Sequence, residues 1–139
     1  MNKALIITIC VIAAVIALYP MARATITTVE KQYQGIWIPD NQSSCASLMR
    51  IEVYKDSVVL YNNNDRTTFR NLGTCYSCGS GPRGQGIEVQ VFPDDILPCP
   101  FIIRFNADEK EGVMIIEFPD PKIEKRYPFG KLRFKKCKR

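Results

Sequence analysis

Between Gly35 and Cys137 the apolar residues recur with period two in short runs separated by turn residues, and this alternation restricts the chain to an antiparallel β architecture. Met49, Ile51 and Val53 alternate with Arg50, Glu52 and Tyr54. Side chains two apart share one face of a strand, so such a run has one face to bury and one to expose. Lys55-Asp56-Ser57 turns the chain into a return strand from Val58 to Tyr61. Asn62-Asn63-Asn64-Asp65 makes a second turn, because Asn and Asp tolerate left-handed backbone. Thr67 to Arg70 forms a further short strand, and Ile87, Val89 and Val91 alternate with Glu88 and Gln90 up to Pro93. Phe101 to Phe105 and Val113 to Phe118 flank a polar hairpin loop from Asn106 to Gly112. Pro119-Asp120-Pro121 breaks the chain, and the stretch from Gly130 to Cys137 closes it with Leu132 and Phe134 on one face. Helical periodicity is nearly absent. About seven or eight short strands, with turns every eight to twelve residues or so, predict an all-β fold: a small antiparallel barrel or sandwich.

The first 24 residues stand apart from this pattern and read as a signal peptide. Lys3 supplies a positive start, Ala4 to Leu18 form an apolar run, and Ala22-Arg23-Ala24 offers an A-x-A cleavage site. The run is short for a membrane span, which needs about 20 residues. An uncleaved N-terminal anchor is the alternative. Cys10 follows Ile9 where a lipoprotein signal has a small residue, so a lipid anchor is not expected. The short positive region and the A-x-A site suggest a bacterial periplasmic or secreted protein. Residues 25–139 would then form one exported β domain. Its net charge falls from the +5 of the whole chain to +3 when Lys3 and Arg23 are removed, and the excess sits at the end. From Lys122 to Arg139 nine basic residues face the single acidic Glu124. Such a tail reads either as a lysine-protected edge strand or as a contact for an anionic envelope polymer or lipid. Nucleic acid is not an expected partner.

Gly35-Ile36-Trp37 opens the β series and holds the only tryptophan. It resembles the G-x-W that starts the first strand of lipocalins and related calycin-type barrels. That resemblance implies that Trp37 plugs one end of a barrel beneath a basic residue of the last strand. Arg133 would take that part, with Arg126 as second choice. The 115 residues that remain after cleavage are few for a lipocalin, which implies a small barrel without a deep ligand cavity.

Beyond Cys10 the chain has Cys45, Cys75, Cys78, Cys99 and Cys137, and an odd number leaves one thiol over. Export favours disulfides. Cys45 lies near the first strand and Cys137 on the last, which are neighbours if the sheet closes. Cys99, between Pro98 and Pro100, would then meet Cys75 or Cys78. Each bridge would contribute about 2–4 kcal/mol. Cys75-Tyr76-Ser77-Cys78 has redox spacing, but Gly79-Ser80-Gly81-Pro82 follows and prevents the helix whose dipole would activate a thiol. A zinc site would need four thiolates in an oxidising space, so no metal is expected.

Gly79 to Gly84 matches G-x-G-x-x-G literally but carries Pro82 and runs into a strand, not a helix, so no dinucleotide and no other cofactor is expected. What it offers is a Gly-rich loop with Tyr76 and Arg83, side chains of the types that dominate protein interfaces. The chain has no histidine, which excludes Ser-His and Cys-His nucleophile pairs. The acidic groups Asp94 with Asp95, and Asp108 with Glu109 and Glu111, fall in turns. Lys110 occupies a ligand position that a calcium loop would need. The expectation is a non-enzymatic exported binding protein, such as a periplasmic inhibitor of a cell-wall hydrolase or an immunity protein against a toxin. A lipocalin-like small-ligand carrier and an envelope-associated structural protein are the alternatives.

Overall fold

A computed structural model describes residues 28–76 and 86–138. The signal segment, Cys10, Cys78, Arg83 and the Gly-rich loop lie outside the described residues. Among the described residues nine short strands form one antiparallel, barrel-like sheet. They are β1 (Gly35–Pro39), β2 (Met49–Val53), β3 (Val58–Asn62), β4 (Asp65–Phe69), β5 (Leu72–Tyr76), β6 (Val89–Pro93), β7 (Ile102–Phe105), β8 (Val113–Glu117) and β9 (Arg133–Lys136). Their order across the sheet is β4-β3-β2-β1-β9-β8-β7-β6-β5.

The register follows the alternation. Trp37 of β1 faces Ile51 of β2, and Ile51 in turn faces Leu60 of β3. Val91 of β6 faces Ile103 of β7, which faces Ile116 of β8. All of these side chains are buried and belong to one apolar cluster. A one-residue slip would turn every one of them outward, so the buried face fixes the register. Asn63 and Asn106, both with positive φ, sit in the Asn-rich turn and the polar hairpin loop that the sequence predicts.

Every strand pairing is antiparallel. Counting the eight steps of the sheet from β4 round to β5 therefore returns the same direction, so β4 and β5 run the same way. Only Arg70 and Asn71 separate them, and Asn71 has φ 53°. The two are one bent stave: its first half pairs with β3, its second with β6. Counted that way the barrel has eight staves, an even number, which is what allows an antiparallel meander to close on itself. Phe101, after the β6–β7 connection, packs edge-on against Phe69 of β4 at 4.9 Å and covers one side of the seam.

Four expectations need correction. The basic last strand is not at an edge: β9 lies between β1 and β8, because barrel closure pairs the ends of the chain. The stretch at Thr74, Cys75 and Tyr76 is strand, and Gly73 fits there because a Cβ would meet the Phe92 ring at 2.8 Å. Pro119-Asp120-Pro121 ends β8 but also starts a helix, α1 (Pro121–Arg126), with Pro121 in its first turn and the Asp120 carboxylate accepting from the Lys122 amide at 2.9 Å. Finally, Cys99 is not in a disulfide. The bridge that forms is Cys45–Cys137, with Cα atoms 5.7 Å apart, joining the β1–β2 connection to the residue after β9. Cys75 is disulfide-bonded as well.

Both ends of the barrel are filled by side chains. At the end where β1 begins, the 3-10 turn Lys31–Tyr33 lays Tyr33 on Phe105 at 4.6 Å, with Trp37 5.3 Å from the same ring. At the opposite end, Tyr127 and Phe129 from the β8–β9 connection are fully buried, and the Tyr127 hydroxyl is 2.6 Å from Thr67 Oγ1.

Candidate binding rim

The segment before β1 is held down at several points, and it shapes the surface that carries Tyr76. Val29 donates its amide to Lys55 O at 2.8 Å, and the Gln34 side chain donates to Val29 O at 2.8 Å. Lys136 Nζ donates to Gln32 O at 3.0 Å, and Trp37 Nε1 donates to Tyr33 O at 3.0 Å. Trp37 is thus buried at the barrel end, as the tryptophan of a barrel plug would be, but it is partnered by backbone. Arg133 does not cover it: its Nη2 donates to Asp108 Oδ2 at 3.1 Å on the outer face. Arg126 is likewise elsewhere, paired with Asp65 at 3.0 Å.

Tyr76 ends β5 on this rim, and its hydroxyl donates to Glu30, which also accepts from Gln32 Nε2 at 2.7 Å. That hydrogen bond to a carboxylate pushes the Tyr76 phenol up to about 12, so it remains a donor at any physiological pH. Across the rim, Asn106 spends its amide on Tyr33 Oη at 3.2 Å and Ile87 O at 3.0 Å, while its own oxygen accepts from the Gly112 amide at 3.1 Å. Glu109 accepts from the Ile87 amide at 2.6 Å. Between these groups lies an open cleft of about 380 Å³, with Tyr33, Tyr76, Ile87, Asn106, Glu30 and Glu111 in its wall. Tyr76 is 57% exposed and Ile87 48%. The described lining carries carboxylates but neither Lys nor Arg, so the cleft offers apolar contact beside negative charge.

The remaining charged groups are largely committed. Glu88 is fully buried and held by Arg104, whose Nε and Nη2 reach its two oxygens at 2.8 and 2.7 Å. Those bonds keep its carboxyl below the usual range although burial opposes ionisation. Arg104 also bonds Glu117 at 2.9 Å, and its guanidinium is pushed up accordingly. Asp108 is engaged by Arg133 and Glu109 by the Ile87 amide. In the basic C-terminal stretch, Lys135 donates to Asp40 O at 2.7 Å and Lys136 is spent on Gln32, leaving Lys122, Lys125, Lys131 and Lys138 in solvent. Among the described residues no group of three or more Cys, Asp and Glu side chains is placed to hold a metal ion.

A larger cleft of about 560 Å³ runs beside the barrel wall past Lys31, Ile36, Glu52, Tyr54 and Lys136. Its floor is satisfied internally: Glu52 accepts from Arg50 at 2.8 Å, from Tyr54 at 2.6 Å and from Tyr61 at 3.3 Å. Burial works to raise the Glu52 carboxyl, but these donors together hold it low.

Compared with known proteins, the chain matches no protein-family model, no curated protein and no solved structure. The rim was legible in the sequence only at Tyr76. Glu30, Ile87 and Asn106 come from three distant segments, and nothing in their local spacing points to a common surface.

Proposed function

We propose that this chain is an exported, non-enzymatic binding protein that blocks another exported protein, of the periplasmic-inhibitor or immunity type, through the rim around Tyr76. The observation that carries this reading is the pairing of two exposed apolar side chains, Tyr76 and Ile87, across an acid-lined cleft whose walls are pinned by hydrogen bonds. A pre-ordered surface loses little conformational entropy on binding, and Tyr is among the residues that most often anchor interfaces. The acidic lining favours a partner that presents a Lys or Arg. The Cys45–Cys137 bridge suits an oxidising compartment.

A small-ligand carrier finds less support, because Trp37, Phe105, Tyr127 and Phe129 occupy the interior such a ligand would need. The basic C-terminus as an envelope anchor is weakened by the lysines and arginines already engaged within the fold. The test is a pull-down from envelope extract with the oxidised exported protein, repeated with Tyr76→Ala and Ile87→Asp. Support is a stoichiometric hydrolase or toxin that the wild-type protein inhibits and that both variants release while melting as the wild type does. Recovery of no protein, or equal binding by both variants, would overturn the reading.

A further inference from the structure

The β6–β7 connection, residues 94–100, displays Leu97 at 94% exposure with Ile96 beside it at 41%. A lone exposed leucine is ordinary; what sets this one apart is how firmly its loop is held. On the β6 side, the Asp94 amide donates to Asn71 O at 2.9 Å, and Asn71 Nδ2 donates to Asp95 Oδ2 at 2.6 Å. Both bonds reach across to the bend between β4 and β5. On the β7 side, Phe101 is fully buried against Phe69, and the Cys99 thiol donates to Phe101 O at 3.1 Å. Pro98 and Pro100 fix their own φ and remove two amide donors that would otherwise need partners. The base of the loop is therefore anchored on both sides while its two apolar side chains project into solvent.

We infer that Ile96 and Leu97 form a pre-ordered knob that inserts into an apolar pocket on a partner protein, with Asp94 and Asp95 meeting Lys or Arg at the pocket's rim. The charge pattern selects this occupant. Asp94 and Asp95 are exposed at the base of the knob, and residues 93–101 contain no basic side chain. An anionic membrane surface would be repelled by that base, whereas a basic collar around an apolar hole complements it. The loop leaves β6 at the end opposite Val89, which pairs with Tyr76. The knob is thus about 15 Å from the Tyr76 rim along the strand, a separate surface that stands or falls without it.

The experiment places a photo-cross-linking phenylalanine analogue at position 97 of the full chain, with position 125 on the exposed face of α1 as control. The protein joined at 97 is identified, purified and titrated against wild type, Leu97→Asp, Asp94→Lys and Tyr76→Ala. The expected result is an adduct at 97 but not at 125, and affinity reduced about tenfold or more by Leu97→Asp. Asp94→Lys is expected to weaken binding severalfold at low salt and less at high salt. Both variants should melt as the wild type does, since neither side chain packs in the core. Affinity unchanged by Leu97→Asp, an adduct only to lipid or to a second copy of this chain, or no adduct at 97 would overturn the knob. Binding lost in Tyr76→Ala but retained in Leu97→Asp would overturn it while leaving the Tyr76 reading intact.

Discussion

Glu88 and Arg104 show how one residue's burial is decided by another sixteen positions away. Glu88 lies one residue before β6, on the polar side of the sequence alternation that starts at Ile87, and should meet water; it is instead fully buried because Arg104, on the neighbouring strand, supplies two charge-assisted hydrogen bonds. Arg104→Met would leave that carboxylate buried without a counter-charge, and we expect a loss of about 3–5 kcal/mol by urea unfolding. Because the folded Glu88 carboxyl is held below its ordinary value, its contribution is complete above the unfolded value of about 4.3 and is lost as pH falls through the lower folded value. A melting-temperature profile from neutral to acidic pH should accordingly be flatter for Glu88→Gln than for the wild type. At the rim, removing the acceptor in Glu30→Gln should bring the Tyr76 phenol down from about 12 toward its ordinary value, which a phenolate absorbance titration reads directly. A Tyr76 titration unchanged by that substitution would mean the Tyr76–Glu30 contact does not exist in solution.

At the scale of elements, the bend at Asn71 has the largest consequence for the sheet. Its φ of 53° lies in the left-handed region, which Asn tolerates and a β-branched residue does not. Asn71→Val should cost about 2 kcal/mol in thermal unfolding, through backbone strain and the lost bond to Asp95, with Asn71→Gly milder because only the side-chain bond is removed. Strands with clean alternation, such as β2 and β6, are readable in the sequence because burial of one face is written in their residues. β5 is not: Leu72-Gly73-Thr74-Cys75-Tyr76 has a glycine whose absent Cβ makes room for the Phe92 ring, and that ring belongs to another strand. Helix α1 is six residues long and buries no residue completely, so it carries no periodic signal, although Asp120-Pro121 is a sound helix start.

For the molecule as a whole, the Cys45–Cys137 bridge closes a sequence separation of 92 residues. Cross-linking a loop that long should stabilise the fold by about 4–5 kcal/mol through the entropy of the unfolded chain. Cys45→Ala with Cys137→Ala should therefore lower stability in denaturant unfolding by roughly that amount, and an unchanged midpoint would contradict the role given to the bridge. The sequence by itself determined the strand class, the turn positions and most of the inward residues, with Ile87 and Glu88 reversed, because period-two alternation and turn residues act over a few neighbouring residues. Beyond Cys10 it also holds five cysteines, an odd number. Only the tertiary structure decided that β4 and β5 are one bent stave, that the basic β9 lies inside the sheet, that Cys99 is a free thiol, and that Tyr76, Glu30, Ile87 and Asn106 share a rim. Each of these depends on closure of the barrel, a contact between distant parts of the chain that local spacing does not record.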